Sequence, residues 1–117
     1  MTIERISPRA RYCGAVVYDG MVHLAGQVAR DREADVETQT ADILKQIDDL
    51  LAEAGSSKAH LLSVQVFLAD AADFDAMNRA WDAWADTANK PTRATVIAQP
   101  VDPKWKVEIA GFAAVPD

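Results

Sequence analysis

Apolar positions along this chain recur with two different periods, and the switches between them mark out its elements. Ala15-Val16-Val17-Tyr18 and Met21-Val22-His23-Leu24-Ala25 are short apolar runs on either side of Asp19-Gly20. That dipeptide tolerates the positive φ angles of a two-residue turn, so the segment predicts a β-hairpin. Upstream, Ile3 to Ser7 predicts a short edge strand halted by Pro8, with Arg9 to Cys13 as a charged connection. Gly26-Gln27 ends the second hairpin strand. A glycine there serves a bulge or a close approach to the backbone, and the sequence leaves both open.

The period then changes to that of a helix. Val36, Thr40, Ile43, Leu44, Ile47, Leu50, Leu51 and Ala54 recur three and four apart, with Asp42, Lys45, Asp48 and Asp49 turned outward. Gly55 follows where a left-handed cap is wanted. Leu62, Val64, Val66 and Leu68 alternate with Ser63, Gln65 and Phe67, which predicts a strand with one face deeply buried. Asp70 to Asp73 opens a second helix with acidic residues where the helix dipole favours them, and Phe74, Met77, Ala80, Trp81 and Trp84 form its apolar face. Paired tryptophans one turn apart read first as packing and second as the wall of a ligand site. Asn89-Lys90-Pro91 breaks this helix. A strand to about Ala98, a proline-bounded turn over Gln99 to Pro103, and a final strand from Trp105 to Ala114 complete the chain.

The predicted order is β-β-β-α-β-α-β-β, an α+β layer in which two helices cover one face of a six-stranded sheet. The strands carry apolar residues on both faces: Val64, Val66 and Leu68 against Phe67, Val96 against Ile97, and Val107 and Ile109 against Phe112. An uncovered apolar face of that extent calls for another subunit.

Composition narrows the function classes. At 117 residues the chain is read as one domain spanning 1–117, with 50% apolar and 26% charged residues. Its net charge of −6 and the lack of a basic stripe argue against nucleic acid as the main partner. A single cysteine, Cys13, excludes an intramolecular disulfide and makes the cytoplasm the expected compartment. Neither a secretion signal nor a membrane-spanning run is apparent. His23 and His60 stand far apart without a cysteine cluster, so no metal site is expected.

The remaining candidates for chemistry are two charges set in apolar strands: Arg93 in Pro91-Thr92-Arg93-Ala94-Thr95-Val96, and Glu108 in Lys106-Val107-Glu108-Ile109. Arginine offers a planar fork of donors matched to a carboxylate and stays charged at any working pH. A glutamate on a neighbouring strand can pair with it or hold a water beside whatever it binds. From spacing alone, a structural ion pair and a binding site stand equal.

These segments, in this order, resemble the RidA/YjgF family of reactive-intermediate (enamine/imine) deaminases. The resemblance runs from Tyr12 through Ala114. It is carried by Pro91-Thr92-Arg93-Ala94 followed by Val107-Glu108-Ile109, with secondary matches at Tyr12, the Asp-Gly hairpin, Ala25-Gly26-Gln27 and Asp73-Phe74 to Asn78. It implies a chorismate-mutase-like fold and a homotrimer whose inward sheet faces form a barrel, with pockets between subunits. It further implies hydrolysis of 2-aminoacrylate and related imino acids to 2-oxo acids and ammonia, without cofactor or metal. By the same resemblance Arg93 clamps the substrate carboxylate and Glu108 orients or deprotonates water. Gly26 lines the pocket through its backbone amide, Tyr12 packs over the substrate, and Trp105 adds to a wall.

Two positions depart from the members best known for deamination. Ala25 stands where they carry serine or threonine, and Thr95 where they often carry cysteine. Losing one neutral hydrogen bond costs roughly 0.5–1.5 kcal/mol, about tenfold in rate. These departures bear on substrate range and rate rather than on fold. A trimer that binds 2-oxo acids without turnover is the alternative they favour.

Overall fold

The hairpin forms as its sequence predicts: Asp19 and Gly20 have φ of 52° and 73°, and Tyr18 pairs with Met21 across the turn. The computed structural model describes all 117 residues. Its strands are β1 (Glu4–Pro8), β2 (Cys13–Tyr18), β3 (Met21–Gln27), β4 (Leu61–Leu68), β5 (Thr92–Ile97) and β6 (Val107–Ala114). They make one sheet in the order β1-β2-β3-β6-β4-β5. Every neighbouring pair is antiparallel except β4 and β5. A parallel pair needs a long crossover, here supplied by helix α2 (Phe74–Trp84).

Helix α1 (Val36–Glu53) starts on Asp35, whose carboxylate accepts a hydrogen bond from the Thr38 amide at 2.8 Å. That bond holds the Asp35 carboxyl below its ordinary range. The helix ends on Gly55 at φ 80°, where Ser56 N–H donates to the Leu51 carbonyl and Gly55 N–H to that of Ala52. This double closure satisfies the last carbonyls of the helix.

All eight stripe residues of α1 are buried. All of them except Thr40 share one core with Val22 and Leu24 of β3, Val64, Val66 and Leu68 of β4, and Val107 and Ile109 of β6. Residues paired across strands point to the same face. Phe67, Glu108 and Val96 therefore share the opposite face, as do His23 and Phe112. That face carries no helix, and Tyr18, Met21, Val96 and Phe112 remain exposed on the chain, Phe112 to 42%.

Four details differ from the sequence reading. Pro8 is the last residue of β1, paired with Cys13, a position open to proline because β1 lies at the sheet margin. An irregularity in the β4–β6 register between Leu61 and Ser63 turns Leu61 into the core and leaves Leu62 exposed, reversing its expected burial. Helix α2 begins at Phe74, after a separate 3-10 turn over Ala71–Asp73. The last strand starts at Val107, not Trp105; the Trp105 indole instead donates to the Ala29 carbonyl at 3.2 Å and closes the neighbouring loop.

Candidate functional site

The expected site residues fall into two groups. The first gathers at one end of β3 and β6. Leu24 pairs with Gly111 and Gln27 with Ile109, so β3 carries one extra residue there and bulges through Ala25 and Gly26. A Cβ on Gly26 would lie 2.2 Å from Glu108 Oε2 and 3.0 Å from its Cδ. Both predicted roles for this glycine, bulge and close approach, thus hold at once. The Glu108 side chain is half-buried and makes no hydrogen bond or ion pair within the chain. Burial pushes its carboxyl above the ordinary glutamate range.

Tyr12 joins this end of the sheet through Arg9. The Arg9 guanidinium lies 5.6 Å from the Tyr12 ring centre and donates a long hydrogen bond, 3.5 Å, to Gln27 Oε1. Tyr12 itself is 55% exposed, and Cys13 beside it is half-buried with a free thiol.

The second group lies on β5. Arg93 pairs with Val64 and Thr95 with Val66, so both side chains point to the helix-covered face. The Arg93 guanidinium sits 5.0 Å from the Trp81 ring centre and 6.0 Å from that of Phe74, both on α2. It has no carboxylate partner in the chain. Thr95 Oγ1 is buried without a hydrogen-bond partner.

The two groups do not meet within one chain. Strand β4 lies between β5 and β6, and Arg93 and Glu108 occupy opposite faces of the sheet. Two strand spacings and three residues along the strand separate their backbones by roughly 14 Å. The idea of an Arg93–Glu108 ion pair on adjacent strands is therefore corrected by the topology.

Three buried glutamines were missed by sequence reasoning. Gln27 donates from Nε2 to the Ala25 carbonyl at 2.8 Å, tying off the bulge that presents Gly26 to Glu108. Gln39 donates to the carbonyls of Ala34 and Lys104 and accepts from the Lys106 amide at 2.9 Å, fixing the chain two residues before Glu108. Gln46 donates to the Val28 carbonyl at 2.9 Å. A signal existed: Gln39 and Gln46 stand three and four residues from Val36, Ile43 and Leu50 of the α1 stripe, beside a face where a polar side chain must find a buried partner.

None of the five main clefts is lined by Arg93 or Glu108. A groove of about 490 Å³ runs between α1 and α2, yet its charges are already engaged, Arg79 with Glu37 at 2.7 Å and Lys45 with Asp49 at 2.6 Å. No three His, Cys, Asp or Glu side chains are grouped to hold a metal ion, and no helix is long and apolar enough to cross a membrane.

Comparison with known proteins matches residues 2–115 to the family described as endoribonuclease L-PSP. A RutC family protein of Haemophilus influenzae is 46% identical over 97% of this chain and 98% of its own length. The RutC family protein YoaB of Escherichia coli is 45% identical over 98% of this chain and 100% of its own. A crystal structure of a YjgF family member from Neisseria meningitidis superposes with a TM-score of 0.95 at 42% identity, covering 100% of this chain and 98% of that one.

Proposed function

The chain belongs to the YjgF/RutC family, and on that footing we propose that it hydrolyses small 2-imino acids and their enamine tautomers to 2-oxo acids and ammonia. The observation that carries the reading is the state of Arg93. Acids outnumber bases 18 to 12 in this protein, and five basic side chains are paired with carboxylates. Arg93 has none, so its fork is free for the carboxylate of a ligand.

The chemistry asked of the site is modest. Arg93 clamps the substrate carboxylate and fixes the imine carbon for attack. Water adds to that carbon and gives a proton to Glu108, which returns it to the nitrogen to form a carbinolamine. The carbinolamine hydroxyl proton then passes by way of Glu108 to the nitrogen as the C–N bond breaks, so that the carbonyl forms and ammonia leaves. A glutamate whose pKa is raised by burial is a better base than an ordinary carboxylate. Gly26 gives the carboxylate room, and Tyr12 closes over the substrate from the same sheet end. Ala25 supplies no hydroxyl, and Thr95 borders Arg93 on the clamp side.

Because Arg93 and Glu108 lie on opposite faces of one chain, the pocket in this reading is completed by a second subunit. The open sheet face with Tyr18, Met21, Val96 and Phe112 is the surface on which subunits associate, as a trimer around a barrel. The same separation favours the second reading, a carboxylate-binding trimer without turnover, since a clamp can act without its base. The family description names an endoribonuclease, but the acidic balance disfavours a phosphate-backbone ligand.

Generating 2-aminoacrylate or 2-iminobutyrate with a pyridoxal-phosphate dehydratase tests the proposal. Accelerated release of the 2-oxo acid on adding this protein is expected. Saturable binding of 2-oxobutyrate without acceleration would decide for the second reading.

A further inference from the structure

We propose that Trp81 and Phe74 are positioning residues for Arg93, holding its guanidinium in one orientation so that its hydrogen-bonding edge faces a ligand carboxylate. The proposal rests on the reading of Arg93 as a carboxylate clamp. Both rings lie within cation–π reach of the guanidinium, at 5.0 and 6.0 Å. They lie two turns apart on the same face of α2, seven residues from each other, so one rigid helix carries both contacts. No carboxylate or carbonyl in the chain accepts a hydrogen bond from the guanidinium, and its cation–π contacts are with these two rings.

An arginine at a sheet margin is ordinarily mobile, and ordering it on binding costs affinity. Ring faces can restrain it without consuming its donors, because the contact uses the π-surface of the guanidinium and leaves its N–H edge free. A carboxylate partner would order it equally well but would compete with the ligand.

The neighbouring tryptophan shows what a purely structural role looks like. Trp84 donates its indole N–H to Asp48 at 3.0 Å, and the Lys58 ammonium lies 5.2 Å from its ring centre. Trp81 packs edge-on to Trp84 at 5.5 Å, and no hydrogen bond from its own indole is formed. Phe74 is 41% exposed, more than core packing requires. The apolar face predicted for α2 thus divides in two: Met77 and Ala80 enter the core, while Phe74 and Trp81 flank the arginine.

The test compares Trp81→Leu, Trp81→Phe, Phe74→Leu and Arg93→Ala in the full chain, with 2-oxobutyrate as probe. Trp81→Leu should weaken 2-oxobutyrate binding and raise KM for the imine about five- to tenfold, with kcat changed far less. Trp81→Phe, which keeps a ring face, should restore most of the affinity. Phe74→Leu, at an exposed position where folding is safe, should show a smaller loss in the same direction. Tryptophan emission should change on ligand addition to the wild type and not to Trp81→Phe. Wild-type affinity in both Trp81→Leu and Phe74→Leu, alongside lost binding in Arg93→Ala, would overturn this inference while leaving the clamp intact. Equal losses in Trp81→Leu and Trp81→Phe would also overturn it. Unchanged binding in Arg93→Ala would instead remove the clamp reading on which it rests.

Discussion

The surface between α1 and the sheet and the margin formed by β5 and α2 are built from the same kinds of residue to opposite ends. Beneath α1 every apolar stripe position is buried, and the buried glutamines of the helix find carbonyls to serve. Along β5 the arginine lacks an acceptor, a buried threonine hydroxyl lacks a partner, and aromatic rings stay half in solvent. One region is complete within the chain and the other is not. Buried polar groups are normally satisfied, so the open Thr95 hydroxyl is in keeping with the proposal that something else docks at this margin. Under the proposed function, the contrast separates residues that specify the fold from residues that meet a ligand or a second subunit.

The largest effect is expected where the contrast is sharpest. Leu51→Ala, in the closed region, should destabilise the fold by about 2–5 kcal/mol in urea unfolding, since the removed atoms leave a cavity. An effect below about 1 kcal/mol would mean that the core relaxes around the loss and is less finished than described. Arg93→Ala should do the reverse. Binding of 2-oxobutyrate, followed calorimetrically, should weaken roughly 10- to 100-fold for loss of a charge-assisted fork, with the unfolding midpoint nearly unchanged. A large drop in stability would place Arg93 with the structural residues.

Gly26→Ala probes the other half of the proposed site. The new Cβ claims the space of the Glu108 carboxylate, so turnover should fall about tenfold or more while 2-oxobutyrate affinity changes little. Equal losses in both would show that the bulge and the clamp act as one unit.

The smallest effect concerns the Glu108 charge. Burial raises its pKa in the folded state, so the native protein holds this proton to higher pH than the unfolded chain does. Folding stability therefore decreases as pH rises through that window, and the cost is fully present above the folded pKa. Glu108→Gln should be slightly more stable than wild type near neutrality, and the difference should vanish as pH falls below the ordinary carboxylate range. Wild-type turnover should decline over the same acid range, as the base takes up its proton. A stability difference that grew on acidification would contradict the assignment of burial as the cause.

Much of this was legible because it depends on local pattern. The hairpin followed from Asp19-Gly20, α1 from its stripe and Gly55, and the uncovered face from apolar residues on both sides of the strands. The misplacements came from register. Leu62 alternates correctly in sequence, yet an irregular step opposite β6 moves Leu61 inward in its place. The relation of Arg93 to Glu108 was not legible either. Their strands adjoin in sequence, but β4 inserts between them, and strand order is set by long-range pairing that no local period reports. Trp81 illustrates a third limit: its spacing assigns it to the inner face of α2, but only the parallel β4–β5 pairing brings Arg93 under it.

The central claim is that Arg93 of one subunit and Glu108 of another complete a single pocket, and subunit complementation tests it most directly. Arg93→Ala and Glu108→Gln chains, each expected to be nearly inactive alone, would be unfolded together in equal amounts and refolded as mixed assemblies. If each pocket takes its clamp from one chain and its base from the next, about a quarter of the junctions regain both groups, and imine hydrolysis should return to about that fraction of wild type. If both groups come from the same chain, no mixed junction is whole. Absence of any recovery in assemblies shown to contain both variants would contradict the account.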